Sequence, residues 1–221
     1  MTDNVISEQL AYLLGVVGGD GTIYVKKSKQ YLVSISDKNK DFHFEVLRPI
    51  FVNEFGFNPS IIYDKTRNSW YTIVRNRKIV ERIMKFGYSS GRSKTYVDKI
   101  PEKIMESNKR IKLWHLAGWI DAEGTSKTKR FRIKGKIYAY PCVELESVNK
   151  NYTDGLHELS KVIGFPSTKP ALAKRNYINR KPRYTICWNG VGKCQKISTI
   201  MKHPAKKANL LSNISPGRRL S

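Results

Sequence analysis

The chain has 221 residues, of which 40% are hydrophobic and 11% aromatic, a composition typical of a folded protein rather than a disordered tail. Its 41 Lys and Arg residues against 18 Asp and Glu give a net charge of +23, so we expect a polyanionic partner, with nucleic acid ahead of a ribosomal or membrane-surface role. Cys142, Cys187 and Cys194 are an odd number without metal-ligand spacing, which argues against a disulfide framework or a zinc motif and favours a reducing compartment. No apolar run reaches the roughly 20 residues of a membrane span.

Taken in chain order, the first half predicts three helices and two hairpins. Apolar periodicity and turn residues indicate helices over about 7–19, 39–55 and 78–86, with strands over 22–26, 31–37, 60–64 and 70–75. Asn39 is the expected N-cap of the second helix, and Gly56 is expected to end it.

The same order returns in the second half. A helix ends at Glu123, and a later helix is capped by Asn149 or Thr153 and ended by Gly164. Strands are predicted over 130–137, 140–146, 168–174 and 183–189, with a last helix over 193–201. Short matches, such as Tyr-Thr-Ile at 71–73 and 184–186, fall in the same order in both halves. The sequence therefore predicts an α+β fold made of a pseudo-symmetric duplication of αββαββα, with two antiparallel sheets around a central two-helix interface.

This repeat sets the expected organisation. The first half covers residues 1–93, a linker 94–106, the second half 107–203, and a basic C-terminal tail 204–221 that should be loosely held or lie against DNA.

The two halves share one stretch, residues 13–21 and 116–124. Each is an apolar run with small residues four apart, Gly15 and Gly19 in the first and Gly118 and Ala122 in the second. Because this spacing puts the small residues on one helical face, the two helices can approach closely. Each run ends in a carboxylate followed by a glycine, which is expected to close the helix in the left-handed conformation.

These two stretches resemble the LAGLIDADG signature of homing endonucleases, particularly the single-chain, two-motif kind, and in style most of all the archaeal intron-encoded members. The supporting element order extends from about Ser7 to Lys202, so the resemblance covers most of the chain. Gly18 departs from the signature at its first acidic position, whereas Asp121 keeps it. The resemblance implies two sheets that form a DNA-binding saddle.

The implied activity is site-specific, Mg²⁺-dependent hydrolysis of one phosphodiester in each DNA strand across the minor groove. It would leave short 3′ overhangs and promote intron mobility, and Mn²⁺ or Ca²⁺ could occupy the metal site. Asp20 and Glu123 would bind the metal, together with the carbonyls of Gly19 and Ala122, since hard oxygen ligands suit Mg²⁺.

The basic and polar residues that would assist catalysis are assigned less directly. Lys38 follows a strand where the family often places an active-site lysine, and its counterpart is Val148, so Lys127 is the substitute candidate in the second half. Lys94 is an alternative, and Asp37 and Ser147 are expected to orient water. For each lysine, an ordinary phosphate contact is the competing interpretation.

The clearest predicted DNA-reading element is a strand over residues 130–138. Its alternation is expected to put basic side chains and Tyr138 on one face and Phe131, Ile133 and Ile137 against helices. The full predicted DNA-binding set is Tyr24, Lys26, Lys65, Arg67, Arg75, Arg77, Arg130, Arg132, Lys134, Lys136, Tyr138, Lys174, Arg175, Arg180, Lys181 and Arg183.

The expected partner is a double-stranded DNA site bound by a monomer, with no membrane and no obligatory protein partner. The N-terminus lacks the pattern of a signal or transit peptide, so a prokaryotic cytoplasmic location is expected. An intein is disfavoured by the terminal residues. Two alternatives remain open: an RNA-binding maturase on the same fold, and a DNA-binding regulator without catalysis.

Overall fold

The structure is a computed structural model that describes residues 5–26, 30–91, 99–173 and 181–214. The helices are α1 (Glu8–Gly19), α2 (Arg48–Phe55), α3 (Arg77–Met84), α4 (Glu102–Glu106), α5 (Lys109–Glu123), α6 (Lys150–Val162), α7 (Val191–Ile200) and α8 (Pro204–Ile214), and a π-helical segment, Phe42–Leu47, leads directly into α2. The strands are β1 (Gly21–Val25), β2 (Tyr31–Asp37), β3 (Ser60–Asp64), β4 (Ser69–Val74), β5 (Gly124–Ile133), β6 (Lys136–Ser147), β7 (Ala171–Leu172) and β8 (Tyr184–Asn189).

The strands form two four-stranded antiparallel sheets with matching topology. The first has the order β1-β2-β4-β3 and the second β5-β6-β8-β7. Each sheet packs one face on helices, and α1 and α5 form the centre of the core between the halves. The predicted α+β duplication is confirmed. No helix within the described ranges is long and apolar enough to cross a membrane.

Local capping signals in the sequence are also confirmed. The side chains of Ser7, Asn39 and Asn149 each accept a hydrogen bond from the backbone amide three residues later, at 3.0, 2.7 and 3.3 Å. Gly56 and Gly164 follow helices with φ of 60° and 84°, the left-handed conformation that favours glycine. Of the two proposed caps for α6, the structure therefore uses Asn149 and not Thr153.

Helices α1 and α5 meet as closely as backbones allow. A Cβ built on Gly15 would lie 2.2 Å from the carbonyl oxygen of His115, and one on Gly118 would lie 2.1 Å from that of Tyr12. Further along the same contact, a Cβ built on Gly19 would lie 2.6 Å from the Cβ of Ala122. The predicted pairing of small-residue faces is confirmed, because only glycine permits these distances.

The glycines that follow the two acids serve a different purpose from the predicted one. Gly21 and Gly124 do not have positive φ, and both begin a strand. A Cβ on Gly21 would lie 2.7 Å from the Val17 carbonyl oxygen, and one on Gly124 2.3 Å from that of Ile120. Glycine is needed because each strand turns back against the last turn of its own helix. The prediction of a left-handed helix stop was wrong here.

The predicted basic strand over residues 130–138 is in fact the end of a long hairpin. Lys134 and Gly135 have φ of 46° and 79° and form its two-residue turn between β5 and β6, as two-residue hairpin loops require. The turn reverses the chain, so Arg132 pairs with Ile137 and Phe131 pairs with Tyr138. The predicted division into one basic and one apolar face is therefore wrong.

The segment after residue 203 is not loosely held, at least as far as residue 214. Helix α8 buries Leu210 completely and packs against β5 and β6. Thr128 donates a hydrogen bond to the Asn213 side chain at 3.0 Å, and Asn213 donates to Ser126 at 3.4 Å. The C-terminal tail predicted from residue 204 thus begins with a helix that covers part of the second sheet.

Candidate active site

The two acids at the ends of the central helices open into one cleft of about 370 Å³. Asp20 lies just beyond the end of α1, and Glu123 is the last residue of α5. The contact between the helices brings both carboxylates to this cleft, as the repeat predicted. The lining also includes Gly18, Gly19, Gly21, Thr22, Gly91, Trp119, Glu146, Ser147, Val148, Asn149, Tyr152 and Arg183.

A carboxylate at a helix C-terminus meets the negative end of the helix dipole. Asp20 and Glu123 are both in this position, one from each half. Two such acids in one cleft favour a bound cation, and carboxylate oxygens are the ligands that Mg²⁺ prefers. The donor set of Asp20, Glu123 and the adjacent Gly19 therefore fits a hard divalent cation.

The Ala122 carbonyl, the fourth predicted ligand, has a different partner in this structure. Its oxygen accepts a hydrogen bond from the ammonium of Lys206 on α8. The two halves of the site are therefore unlike: a lysine from the C-terminal helix reaches the backbone beside Glu123. No local sequence signal indicates Lys206, because its contact joins residues 84 positions apart.

Residues 202–206 pack over two residues of the first half whose repeat equivalents in the second half line the cleft. Ser147 and Tyr152 line the cleft, and their repeat positions are Asp37 and Phe42. His203 stacks on Phe42 with ring centroids 4.5 Å apart, and its Nε2 lies 3.2 Å from an Asp37 carboxylate oxygen. Although burial raises the pKa of Asp37, hydrogen bonds from His203 and a backbone amide hold it below its ordinary value. Asp37 is thus engaged by the C-terminal segment.

Asp121 anchors that segment to the central helices. One of its carboxylate oxygens accepts hydrogen bonds from the Tyr12 hydroxyl at 2.6 Å and from the amides of Lys202 and His203 at 2.7 and 3.0 Å. Burial raises the pKa of Asp121, and these hydrogen bonds oppose the rise. At the equivalent position of the first motif, a Cβ on Gly18 would lie 2.7 Å from the Trp119 indole nitrogen. The acid missing from the first motif is thus excluded by Trp119.

The structure separates the predicted helper residues. Ser147 lines the cleft and accepts a hydrogen bond from the Asn149 amide at 3.1 Å. Among the described residues, neither Lys38 nor Lys127 is part of the cleft lining: Lys38 is exposed beyond β2, and Lys127 forms an ion pair with Glu144. Lys94 lies outside the described residues. Catalytic roles for Lys38 and Lys127 stay predictions.

The first sheet places the predicted DNA-binding residues in several settings. Residues Thr22, Tyr24 and Ser34 project from the face that the helices leave uncovered, since their neighbours Ile23 and Val33 are in the core. The Lys26 ammonium lies over the Tyr24 ring, 5.6 Å from its centroid.

Further predicted contacts lie at the edges of that sheet. Lys65 and Arg67 are exposed in the turn between β3 and β4. Arg67 lies 3.8 Å from Asp64. Arg75 is exposed just after β4, whereas Arg77 pairs with Glu81 at 2.7 Å at the start of α3 and stacks on Tyr31.

In the second sheet, register determines the faces. Arg130 and Arg132 share the face of Val143, which is in the core, and Lys127, Lys129, Lys136 and Tyr138 share the opposite, uncovered face. Lys134 lies in the turn. Phe131 is on the uncovered face too, stacked with Tyr138 at 5.4 Å and 39% exposed.

The last hairpin is described only in part. Arg183 lines the cleft with its guanidinium 3.6 Å from Glu146, and Lys181 is exposed. Lys174, Arg175 and Arg180 lie outside the described residues. Glu146 and Tyr152 are cleft residues that the sequence pattern did not single out. The available signal for Glu146 was the alternation of β6, which puts it on the face opposite the core residue Leu145.

Comparison with known proteins shows which family the first half of the chain resembles. Residues 7–85 match the family model of the LAGLIDADG-like domain. The first half of the chain is a LAGLIDADG-like domain. The second half repeats its elements and its motif, so the LAGLIDADG fold extends over both described halves.

Solved structures agree with that fold. The crystal structure of I-DmoI in complex with DNA and Ca is similar to this chain with a TM-score of 0.62 at 17% identity, covering 93% of this chain and 97% of that one. The meganuclease I-SmaMI bound to uncleavable DNA has a TM-score of 0.57 at 11% identity, covering 95% and 89%. I-DmoI is described as a homing endonuclease and I-SmaMI as a LAGLIDADG homing endonuclease.

Closer sequence relatives carry no described activity. The uncharacterized protein MJ0314 of Methanocaldococcus jannaschii is 30% identical over 150 residues, which are 67% of this chain and 51% of that protein. The uncharacterized protein MJ0398 of the same organism is 30% identical over 121 residues, 53% of this chain and 39% of that protein. The chain described here spans about half the length, or less, of these relatives.

Proposed function

We propose that this LAGLIDADG protein is a site-specific, divalent-metal-dependent DNA endonuclease. The observation that carries the proposal is the meeting of Asp20 and Glu123, one from each half, in a single cleft beside two sheets with uncovered faces. Two acids fit the need to cut two strands. I-DmoI and I-SmaMI, which share the fold, are DNA-bound endonucleases by description.

Charge supports DNA as the substrate. The chain carries +23, and Lys136, Tyr138 and Phe131 lie on the uncovered face of the second sheet, with Tyr24 on that of the first. A two-stranded ribbon fits the major groove, and lysine contacts to phosphate supply sequence-independent affinity. Each sheet would follow one side of the target, which suits a monomer and a long, nearly asymmetric site.

The chain's own groups divide the chemical work. Asp20 and Glu123 would hold the metal, with the Gly19 carbonyl nearby. When bound, a divalent metal activates water and neutralises charge on phosphoryl oxygens. Ser147, whose hydroxyl accepts a hydrogen bond from the Asn149 amide, would orient water in the cleft. Lys206 is not part of the cleft lining, but its ammonium bonds to the Ala122 carbonyl, one residue before Glu123. From there it would supply positive charge that stabilises the charge developing on the scissile phosphate.

The finer features are part of the same proposal. Cleavage would use Mg²⁺ in preference to Mn²⁺ or Ca²⁺, cross the minor groove, leave short 3′ overhangs and serve intron mobility. Each half, residues 1–93 and 107–203, would supply one acid and one DNA-binding sheet.

A selection for cleavage tests this directly. The full chain is incubated with Mg²⁺ and a plasmid library that carries random inserts, and the linear products are recovered and sequenced. We expect one enriched sequence that is cut in both strands, and we expect no cutting when EDTA removes the divalent metal.

Variants then separate the candidate functions on the recovered site. Asp20→Asn and Glu123→Gln should each lower double-strand cleavage by at least about 100-fold, as loss of a metal ligand predicts, and keep binding in a gel shift. Glu158→Gln, on the exposed surface of α6, is the matched control and should cut normally. Tight DNA binding without any cleavage would instead support the regulator, and preferential binding of structured RNA would support the maturase.

A further inference from the structure

The second sheet gathers two cysteines and a glutamate on its uncovered face. Cys142 and Glu144 are two residues apart on β6 and so project to the same side, and Cys187 on β8 is paired with Glu144 in register. Val143 and Leu145, on the other side, are in the core. The two sulfurs and one Glu144 carboxylate oxygen all lie within 4.8 Å of one another.

Cys142, Glu144 and Cys187 are largely buried, but solvent reaches part of the Glu144 side chain. Cys142 is fully buried, Cys187 is 6% exposed and the Glu144 side chain 13%. Two lysines cover this trio from β5: Lys127 pairs with Glu144, and the Lys129 ammonium lies 3.2 Å from the Cys187 sulfur and 3.5 Å from Glu144. The Cys187 sulfur lies 3.4 Å from Oε2 of Glu144. Both lysines can move, since each is about one-third exposed.

The register disfavours a disulfide between the two cysteines. Cys142 is opposite Asn189, so Cys142 and Cys187 are diagonal neighbours. Diagonal residues on paired strands are about 7–8 Å apart, beyond the usual Cα separation of about 4.4–6.8 Å for a disulfide. The sulfurs converge on a common point without the backbone geometry that would join them.

The spacing does suit a tetrahedral metal ion. Zinc bonds of about 2.3 Å to sulfur and about 2.0–2.2 Å to oxygen place tetrahedral ligand atoms about 3.6–3.8 Å apart. The trio reaches this spacing by closing about 1 Å or less, which side-chain rotation can supply. Two thiolates favour zinc over magnesium, so this site differs in chemistry from the cleft of Asp20 and Glu123.

Electrostatics are compatible with ligation. A hydrogen bond from the Cys142 thiol lowers the pKa of Cys187 to about 7; burial opposes this and the Lys129 ammonium assists it. The same hydrogen bond, with burial, raises the pKa of Cys142. Metal binding would release the Cys142 proton to solvent, and the cation would replace the lysines as the counter-charge of Glu144.

We propose that Cys142, Glu144 and Cys187 form a binding site for a thiophilic divalent cation of the zinc class, with a fourth position open to water. Occupation displaces the ammonium groups of Lys127 and Lys129 from Glu144 into the solvent above the uncovered face of the sheet. The sequence shows no zinc motif because the ligands come from two strands, and the approach of Cys142 to Cys187 depends on the register.

Cobalt provides a spectroscopic test that does not involve DNA or cleavage. The reduced, chelator-treated full chain is titrated with Co²⁺. We expect a thiolate-to-cobalt charge-transfer band in the near ultraviolet and the visible bands of tetrahedral cobalt, saturating at one equivalent and bleached by one equivalent of Zn²⁺. Mg²⁺ in large excess should leave the spectrum unchanged.

Variants assign the signal. Cys142→Ser and Cys187→Ser should each lower Co²⁺ affinity at least about 100-fold, and Glu144→Gln at least about tenfold, in proteins whose circular dichroism matches the parent. Cys194→Ser is the matched control, because Cys194 is a buried cysteine on α7 whose thiol faces the Trp188 carbonyl, and it should keep the full spectrum. Absence of the charge-transfer band in the parent, or its persistence in Cys187→Ser, would overturn the proposal. The result is independent of whether the protein cuts DNA.

Discussion

The central helix contact gives a prediction with a size that the structure determines. In Gly118→Ala, the added methyl group would lie 2.1 Å from the Tyr12 carbonyl oxygen, 2.9 Å from the Val16 nitrogen and 3.0 Å from the Tyr12 carbonyl carbon. An ordinary carbon–oxygen contact is about 3.3–3.6 Å. Since the atoms it meets are backbone, no side chain can move aside, and α5 must shift by more than about 1 Å relative to α1.

Two opposing terms set the magnitude. Alanine gains about 1 kcal/mol over glycine in a helix interior. Overpacking of a buried contact costs about 1–3 kcal/mol, and a gap of about 0.5–1 Å forfeits a quarter to a half of the dispersion energy along the rest of the seam. Because this seam is the centre of the core, the lost dispersion energy adds to the overpacking cost, and we expect a net loss of about 1–3 kcal/mol, or a fall in Tm of about 2–12 °C for a chain of this size.

Urea and thermal unfolding followed by circular dichroism measure the effect. Gly192→Ala is the matched control: it is a helical glycine whose added Cβ would meet nothing within 4 Å, so it should be neutral or stabilising by about 0.5 kcal/mol. Gly118→Ala should also lose cleavage activity, because the same shift separates Asp20 from Glu123. A Gly118→Ala protein as stable as the parent would refute the close backbone approach of the two helices.

Three further predictions concern pH, the active site and the DNA face. Burial lowers the pKa of His115 from 6.5 to about 4; the unfolded chain therefore takes up a proton that the folded chain does not, and the free energy of unfolding should fall by up to about 3 kcal/mol between pH 6.5 and 4. His115→Gln should flatten this part of the pH profile, and an unchanged slope would assign it to other groups. Lys206→Met should lower the cleavage rate at least about tenfold with DNA binding retained, whereas the neighbouring variant Lys207→Met should cut at the parent rate. Equal cleavage rates of the two variants would refute a role of Lys206 in cleavage. Lys136→Ala should reduce the salt dependence of DNA binding by about one unit of slope. Arg132→Ala, on the other face of the hairpin, should change that slope less. The reverse order in a salt titration would mean that DNA contacts the opposite face.

The features that the sequence alone predicted depend on short stretches of chain. Caps such as Asn39 and Asn149 accept a hydrogen bond from an amide three residues away, and Gly56 needs left-handed φ only for itself. The four-residue spacing of Gly15 and Gly19 is a property of one helix, and the repeat supplied the partner. Such local signals are therefore enough to place both acids and most of the helices and strands correctly.

The errors arose where distant residues decide the outcome. The alternation of residues 130–138 is regular in the sequence, but the pairing of Phe131 with Tyr138 across a turn reassigns every face. The chain beyond residue 203 shows little periodicity in its sequence. It nevertheless forms a helix that packs against the second sheet, where Leu210 is completely buried.

By itself, the sequence determined that two related halves each bring one acid to a shared helix pair, because helical spacing and repetition are written in neighbouring residues. Only the tertiary structure decided what surrounds those acids. It placed the Lys206 ammonium on the Ala122 carbonyl, paired Asp37 with His203, and brought Cys142 and Cys187 to the same face of the second sheet through strand register. Such contacts depend on how separate elements pack, and packing depends on backbone geometry that no local pattern records.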